Sequence, residues 1–172
     1  MAGPQHHRIT ASLKPAHSLS NNPSFCLSTM ANPLNPYAAL YEHPKGPGDQ
    51  RPTAIRVIQD NNVAGKWRGN VILVTGGTSG IGAATVRALH ETGADVYFTA
   101  RDMGKGVQLA EKVRGQSSGA GKIEAIFMCL DSLESVKAAA STLLNLSGGR
   151  LNVLINNAGR PSISGMVGSC SR

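Results

Sequence analysis

Short apolar segments alternate with amphipathic ones between residues 71 and 157. Four runs rich in β-branched or aromatic residues predict strands at 71–74, 95–99, 123–130 and 151–155. Between these runs, apolar residues recur at the three- and four-residue spacing of helices. Strands that alternate with helices are typical of a parallel sheet covered on both faces. The pattern therefore predicts an α/β fold, a doubly wound parallel sheet of the Rossmann type that is incomplete, with about four strands.

Each helix between the strands has a predicted inward face. In the first helix the inward positions are Ile81, Ala84, Thr85, Ala88 and Leu89. In the second, predicted over 103–114, they are Val107, Ala110 and Val113. In the third they are Leu133, Val136, Ala140, Leu143 and Leu144. The sequence D-x-x-E from Asp131 to Glu134 predicts a capping box where the third helix begins.

The chain before this alternation is polar. Residues 1–53 are rich in Pro, Ser and Asn and predict a disordered or loop-like segment, while 160–172 predict an irregular tail. Thr53 is a predicted cap for a short helix over 54–60, so the predicted globular domain is 54–159. Met30 is a second plausible start. The residues before it include no acidic residue and are interpreted as untranslated sequence or, on weaker grounds, as an organelle transit peptide.

A glycine-rich turn from Thr75 to Gly82 connects the first strand to the first helix. Gly76 and Gly80 would allow backbone conformations with positive φ, and the missing Cβ atoms would let a pyrophosphate approach the main chain. Free amides and the positive end of the helix dipole would hold the phosphates. A strand, a glycine turn and a helix in this order predict a dinucleotide site. A second glycine-rich segment, 115–121, predicts only a flexible loop.

Two motifs resemble the signatures of the short-chain dehydrogenase/reductase family. They are T-G-x-x-x-G-I-G, from Thr75 to Gly82, and N-N-A-G, from Asn156 to Gly159. The resemblance covers about 70–159, and its extension to 30–69 through one branch of the family stays open. It implies hydride transfer between alcohols and carbonyls. It implies that the cofactor pyrophosphate is held by Gly76, Thr78, Ser79, Gly80, Ile81 and Gly82. It places Asn157, Ala158 and Gly159 beside the ribose.

The residues after the second strand favour NADP over NAD. T-A-R-D-M-G-K-G, from Thr99 to Gly106, resembles the retinol-dehydrogenase-like branch, in which the arginine at this point, here Arg101, implies NADP. An arginine can accommodate the 2′-phosphate, whereas NAD-specific sites usually place an acidic residue near the ribose. Asp102 could serve NAD in that way, yet it is also a good helix cap. We therefore predict NADP, with Arg101 at its 2′-phosphate.

The adenine end of the site has two interpretations. The resemblance implies an Asp after the third strand that contacts adenine, and this position falls on Cys129. A thiol cannot accept the adenine amino hydrogen bond as a carboxylate would. Asp131 could substitute from a shifted position and is kept as a candidate cofactor residue, although capping of the third helix is the favoured role.

No residue is assigned a catalytic role. The resemblance implies a Ser and a Tyr-x-x-x-Lys pair downstream of N-N-A-G, and no positions match them. Tyr41 and Lys45 have the right spacing, but Pro44 disfavours the helical turn that the pair needs, and both precede the first strand. We predict the cofactor-binding half of an NADP-dependent oxidoreductase, inactive alone. Two alternatives stay open: a non-catalytic NADP-binding or interaction module, and a non-functional truncated gene product.

Composition narrows the expected partners beyond NADP(H). The net charge of +7, from 17 Lys and Arg against 10 Asp and Glu, includes no basic run, so nucleic acid is not expected. Three scattered cysteines with no C-x-x-C pair indicate a reducing, cytoplasmic location, and the five histidines show no metal-ligand spacing. No apolar stretch reaches the length of a membrane span. The fourth strand would be an exposed apolar edge, which predicts self-association or a protein partner.

Overall fold

The computed structural model describes residues 35–159, and the predictions for 1–34 and 160–172 lie outside this range. A turn of 3-10 helix, Ala38–Tyr41, comes first. The helices are α1 (Ala54–Asp60), α2 (Gly80–Glu91), α3 (Met103–Gln116) and α4 (Leu133–Ser147). The strands are β1 (Val71–Val74), β2 (Asp95–Ala100), β3 (Ile123–Phe127) and β4 (Val153–Ile155). Strands and helices therefore alternate from β1 to β4.

The four strands form one parallel sheet in the order β3-β2-β1-β4. Val74 at the end of β1 lies opposite Phe98 of β2 and Ile155 of β4. The predicted α/β fold, a Rossmann-type parallel sheet of about four strands, is confirmed. The chain runs from β1 towards β3 on one side and returns to β4 on the other. A crevice opens outside the carboxyl ends of the strands at such a reversal.

The third and fourth strands are shorter than predicted. The Met128 amide still donates to the Ala100 carbonyl at 3.0 Å, but the Cys129 amide donates to the Ser135 hydroxyl at 2.9 Å. The chain leaves the sheet at this point, and β3 ends at Phe127. β4 begins at Val153, two residues later than predicted. Both differences shorten the edge strands, β3 and β4, whereas the central strands β1 and β2 lie where the sequence predicts them.

Helices cover both faces of the sheet. On one face, α2 and α3 pack over a buried cluster that includes Ile72, Val74, Val96, Phe98, Leu109 and Val113. On the other face, α4 packs over Val71, Tyr97, Ile126 and Met128 through Ala139 and Leu143. Tyr97 and Phe98 are neighbours in β2 and both fully buried, because successive side chains of a strand point to opposite faces. Two apolar cores therefore hold the central strands in place.

Some of the predicted inward positions are wrong. Six of them are exposed: Ile81, Ala84, Val107, Leu133, Ala140 and Leu144. The others are buried or half-buried. The buried faces of the three helices between the strands each include a small residue, namely Gly82 in α2, Gly106 in α3 and Ala139 in α4. A Cβ at Gly106 would lie 2.7 Å from the Cβ of Ala125, so the face that can approach the sheet most closely turns inward.

The short helix α1 has the predicted bounds and the predicted cap. The Arg56 amide donates to the Thr53 hydroxyl at 3.2 Å. α1 packs beside α2. None of the helices described within 35–159 has the length and apolar character needed to cross a bilayer.

Candidate functional site

A cleft of about 600 Å³ opens at the carboxyl ends of β1, β2 and β4. Its lining includes all eleven residues predicted to bind the cofactor: Gly76, Thr78, Ser79, Gly80, Ile81, Gly82, Arg101, Asp131, Asn157, Ala158 and Gly159. Three further residues line it: Thr99, Met128 and Leu130. The structure therefore brings residues that are far apart in the sequence to one place, at the point where the strand order reverses.

The three glycines of the first motif meet different structural demands. Gly76 has φ +66°, and a Cβ there would lie 3.0 Å from Ala158. Gly80 has φ +52°, and no atom lies within 4 Å of the position of its missing Cβ. A Cβ at Gly82 would collide with the Gly76 carbonyl and lie 2.6 Å from the Asn157 amide nitrogen. Gly80 thus keeps the cleft open, whereas Gly82 lets the helix pack against the turn.

The Asn157 side chain ties the glycine turn to the end of β4. Its Nδ2 donates to the Thr75 carbonyl at 2.9 Å and to the Gly76 carbonyl at 3.1 Å. The Thr75 hydroxyl accepts from the amides of Asn157 and Ala158, both at 3.0 Å. Asn157 is therefore part of the scaffold that shapes the cleft.

The amino-terminal end of α2 faces the cleft without a side-chain cap. Ser79 is the N-cap residue, and its hydroxyl makes no capping hydrogen bond. The first amides of a helix need acceptors, and the helix dipole favours an anion at this end. Ile81 in the first turn is 80% exposed at the rim. The arrangement can hold phosphate oxygens through backbone N–H groups.

Arg101 and Asp102, adjacent after β2, have different surroundings. Arg101 lines the cleft with an exposed side chain. Asp102 caps α3, because its Oδ1 accepts from the Lys105 amide at 3.1 Å. Its Oδ2 lies 3.7 Å from the Lys105 ammonium, and Asp102 is absent from the cleft lining. The cap predicted for Asp102 is confirmed.

The capping box predicted at Asp131 is wrong. Ser132 is the N-cap of α4, and its hydroxyl accepts from the Ser135 amide at 3.2 Å. The Ser135 hydroxyl in turn accepts from the Cys129 amide, which fixes this start one residue later than predicted. Asp131 is exposed on the cleft wall. Its one hydrogen bond within the described residues comes from the buried Cys129 thiol, at 3.8 Å.

The cleft wall described here contains no tyrosine, lysine, histidine or cysteine. Tyr41 ends the 3-10 turn with its side chain 55% exposed, and Lys45 lies in the following loop. Neither of them lines the cleft. Residues 35–159 also include no cluster of three potential metal ligands. The described part of the chain thus supplies binding groups to the cleft but no general acid or base of these four types.

Sequence reasoning missed several residues that shape the cleft. Thr99 is 3% exposed, and its hydroxyl accepts from the Gly76 amide at 2.9 Å. A Cβ at Gly77 would lie 2.6 Å from that of Phe98. Met128 and Leu130 form an apolar part of the cleft wall beside Asp131. One signal pointed to Thr99: its hydroxyl side chain follows three hydrophobic residues, 96–98, and lies two positions before Arg101.

A family model described as short chain dehydrogenase matches residues 70–171. The match extends past Gly159, where the motif resemblance was expected to end. Oxidoreductase calI of Penicillium decumbens is 45% identical over 128 residues, which are 73% of this chain and 37% of that protein. The aligned part, 73% of the chain, is longer than the segment 70–172. The similarity to calI therefore includes residues before Asn70.

Two solved structures are similar to the described fold. A short chain dehydrogenase from Mycobacterium smegmatis has a TM-score of 0.51 and 33% identity, over 56% of this chain and 39% of that one. The Pseudomonas aeruginosa RhlG/NADP active-site complex has a TM-score of 0.50 and 37% identity, over 57% of this chain and 38% of that one. The chain thus spans less than two fifths of the length of calI and matches similar fractions of these structures.

Proposed function

Because the chain belongs to the short-chain dehydrogenase family, we propose that it is the cofactor-binding half of an NADP-dependent oxidoreductase. The observation that carries this proposal is the convergence of both motifs and Arg101 on one cleft at the strand reversal. The RhlG complex, similar over 57% of this chain, contains NADP and supports the same cofactor class.

The glycine turn would hold the pyrophosphate. Thr78, Ser79, Gly80, Ile81 and Gly82 surround the uncapped start of α2. Their backbone N–H groups and the helix dipole would stabilise the negative charge. The open space beside Gly80 supports this assignment, since a phosphate needs close access to the main chain. Asn157, Ala158 and Gly159 line the other side and would contact the ribose next to the nicotinamide.

Arg101 would hold the 2′-phosphate of NADP. Its guanidinium has no ion-pair partner among the described residues, whereas the neighbouring carboxylate of Asp102 is engaged in capping α3. An NAD-specific site needs an acceptor for the ribose 2′-hydroxyl, and Asp102 is poorly placed to provide one. This difference supports NADP over NAD. Asp131, free of the capping role, would accept from the adenine amino group between Met128 and Leu130.

The proposed reaction interconverts an alcohol and a carbonyl compound. When bound, NADP(H) would supply or accept the hydride. The chain's own residues would hold the phosphates, orient the ribose and shape the wall of the cleft. The proton that accompanies the hydride needs an acid or base, and the described wall offers no tyrosine or lysine for this step. We therefore propose that the chain binds the cofactor in the cytoplasm and is inactive alone.

A second candidate function is an interaction module that binds through the edge of β4. Val153 and Leu154 in this edge strand are 39% and 50% exposed. Exposed apolar edge strands pair readily with other chains, and we favour a second copy as the partner. Sedimentation velocity over a hundredfold range of concentration would show association that Leu154→Lys abolishes. A monomer at all concentrations would contradict this function, and Leu144→Lys on α4 serves as the control.

Cofactor titration tests the principal proposal. Wild-type protein should bind NADPH more tightly than NADH, measured by the fluorescence of the reduced nicotinamide. Arg101→Ala should weaken NADPH binding by about 10- to 100-fold, the range for a hydrogen bond to a charged group, and leave NADH nearly unchanged. Lys105→Ala is the matched control, because it removes the same charge from an exposed position outside the cleft.

Two results would contradict the proposal. If the wild-type protein bound neither nucleotide, cofactor binding would be wrong, and a non-functional fragment would remain. If Arg101→Ala and Lys105→Ala weakened NADPH binding equally, a general electrostatic attraction would replace the assignment of Arg101.

A further inference from the structure

We propose that Thr99 is a positioning residue of the cofactor site, which fixes the glycine turn relative to Arg101. The proposal rests on the proposed function, because the turn and Arg101 are taken as the groups that hold the phosphates. Thr99 acts through the backbone of the turn, so its effect should differ from that of a residue that binds the cofactor directly.

Two consecutive amides of the turn donate to Thr99. The Gly76 amide donates to its hydroxyl oxygen at 2.9 Å, and the Gly77 amide donates to its carbonyl at 3.1 Å. Gly77 also packs so closely on Phe98, the residue before Thr99, that a Cβ would not fit. The beginning of the turn is therefore attached to the end of β2 over two residues.

Thr99 carries a hydroxyl group at a buried position, and this needs a structural reason. The side chain is 3% exposed, in a strand whose other buried residues are Val96, Tyr97, Phe98 and Ala100. Burial of a hydroxyl is unfavourable unless it is hydrogen-bonded, and valine would fill the same volume with apolar atoms. Valine would leave the Gly76 amide without its acceptor. The hydroxyl is thus required for the geometry of the turn rather than for packing.

The position of Thr99 connects two parts of the cleft. Thr99 and Arg101 are two residues apart, and residues with this spacing emerge on the same side of a strand. Both line the cleft. On the opposite side, Asn157 and Thr75 attach the turn to the end of β4. The turn is therefore held from both neighbouring strands, and Thr99 sets its distance from Arg101.

Thr99→Val, Thr99→Ser and Thr99→Ala in the full chain test this role. Thr99→Val should weaken both NADPH and NADH binding by about tenfold, because the displaced turn serves the pyrophosphate of both. Thr99→Ser keeps the hydroxyl and should bind both within about twofold of wild type. Arg101→Ala should weaken NADPH alone, which distinguishes positioning from direct contact.

Thr92→Val is the matched control. Thr92 is fully buried, and its hydroxyl donates to the Leu89 carbonyl at 2.6 Å, away from the cleft. This variant should lower the melting temperature without changing either affinity. If Thr99→Val does not fold, as judged by circular dichroism, Thr99→Ala removes the same hydroxyl with less steric demand and is expected to give the same loss for both nucleotides.

The outcomes separate this inference from the proposed function. Wild-type protein that binds neither nucleotide overturns both. Wild-type binding with unchanged affinities in Thr99→Val or Thr99→Ala overturns the positioning role alone. The role is equally overturned if Thr99→Ser fails to restore binding, if Thr92→Val weakens binding as much, or if Thr99→Val affects NADPH alone.

Discussion

The chain has two glycine-rich segments at opposite ends of the sheet, and their surroundings differ. In the turn 75–82, at the carboxyl ends of the strands, Gly80 has open space beside its Cα and Ser79 leaves the helix start uncapped. In the segment 115–121, which includes the end of α3 and leads into β3, a Cβ at Gly119 or Gly121 would collide with the carbonyl oxygens of His90 or Ala94. The turn therefore has open space at Gly80, whereas Gly119 and Gly121 pack directly against the backbone of the protein itself.

Side chains of α2 make hydrogen bonds to the segment 115–121. His90, 1% exposed, donates through Nε2 to the Gly121 carbonyl at 2.9 Å, and its Nδ1 lies 2.7 Å from the Ser117 hydroxyl. The Ser118 hydroxyl donates to Glu91 Oε2 at 2.7 Å. The comparison shows that glycine permits close approach, while the space beyond the backbone decides whether a ligand or the protein approaches.

The largest expected effect comes from adding a side chain in the tightly packed segment 115–121. Gly121→Ala should lower the free energy of unfolding by about 3 kcal/mol or more, because the new Cβ meets the backbone of Ala94. Gly115→Ala is the control: it lies in α3 with no atom within 4 Å, and it should raise stability by about 0.5–1 kcal/mol. Urea unfolding followed by circular dichroism measures both. Equal stabilities of the two variants would contradict the described packing of the loop.

Replacement of His90 in α2 tests the hydrogen bonds made to the same segment. His90→Ala should lower the free energy of unfolding by about 2–4 kcal/mol, through a cavity and two lost hydrogen bonds. NADPH affinity, titrated at a temperature where the variant is folded, should change by less than about twofold, a small part of one hydrogen bond. A loss of affinity as large as that of Arg101→Ala would show that the two ends of the sheet are coupled.

A substitution in the turn 75–82 should affect cofactor binding as well as stability. Gly80→Ala places a Cβ in the cleft and imposes a strained φ, so stability should fall by only about 1–2 kcal/mol. NADPH affinity should fall by about tenfold, as expected when a phosphate loses close access to the backbone. Calorimetric titration beside a thermal melt separates the two effects. Wild-type affinity in this variant would place the phosphates elsewhere.

A third glycine-containing loop, around Gly46 and Gly48, gives the smallest expected effect. Asp49 accepts from the amides of Lys45 at 2.8 Å and Gly46 at 3.2 Å, and from Arg51 Nε at 2.8 Å. The hydrogen bond from the Arg51 guanidinium holds the pKa of the Asp49 carboxyl well below its usual range. A lowered pKa in the folded protein means that this stabilisation is complete above the unfolded pKa of about 3.9 and declines progressively as the pH falls from there towards the lower folded pKa.

Asp49→Asn should therefore lower the melting temperature slightly at pH 7. The difference from wild type should shrink at pH 3, where the carboxylate of the wild-type protein begins to lose this advantage. Thermal melts at the two pH values provide the measurement. A difference that grows towards acid would contradict the sign of the pKa shift.

The strands and the candidate cofactor residues could be predicted from the sequence, because both depend on the succession of residues within short segments. Apolar runs, glycine spacing and N-N-A-G are visible along the chain, and their position after parallel strands brings them to one edge of the sheet. The exposure of Ile81 and Leu133 was not predictable in this way, because it depends on which helix face can approach the sheet. The cap at Ser132 depends on Ser135 and Cys129, and the role of Thr99 depends on its contact with Gly76. These contacts arise only when the tertiary structure forms.

Hydrogen exchange with and without NADPH tests the central claim most directly, because it observes both glycine-rich segments in one sample. The account predicts slower exchange in a peptide covering 76–82 when NADPH is bound, and unchanged exchange in a peptide covering 115–121. Lack of protection in 76–82 under conditions that saturate binding would contradict the claim that the open glycine turn is the phosphate site.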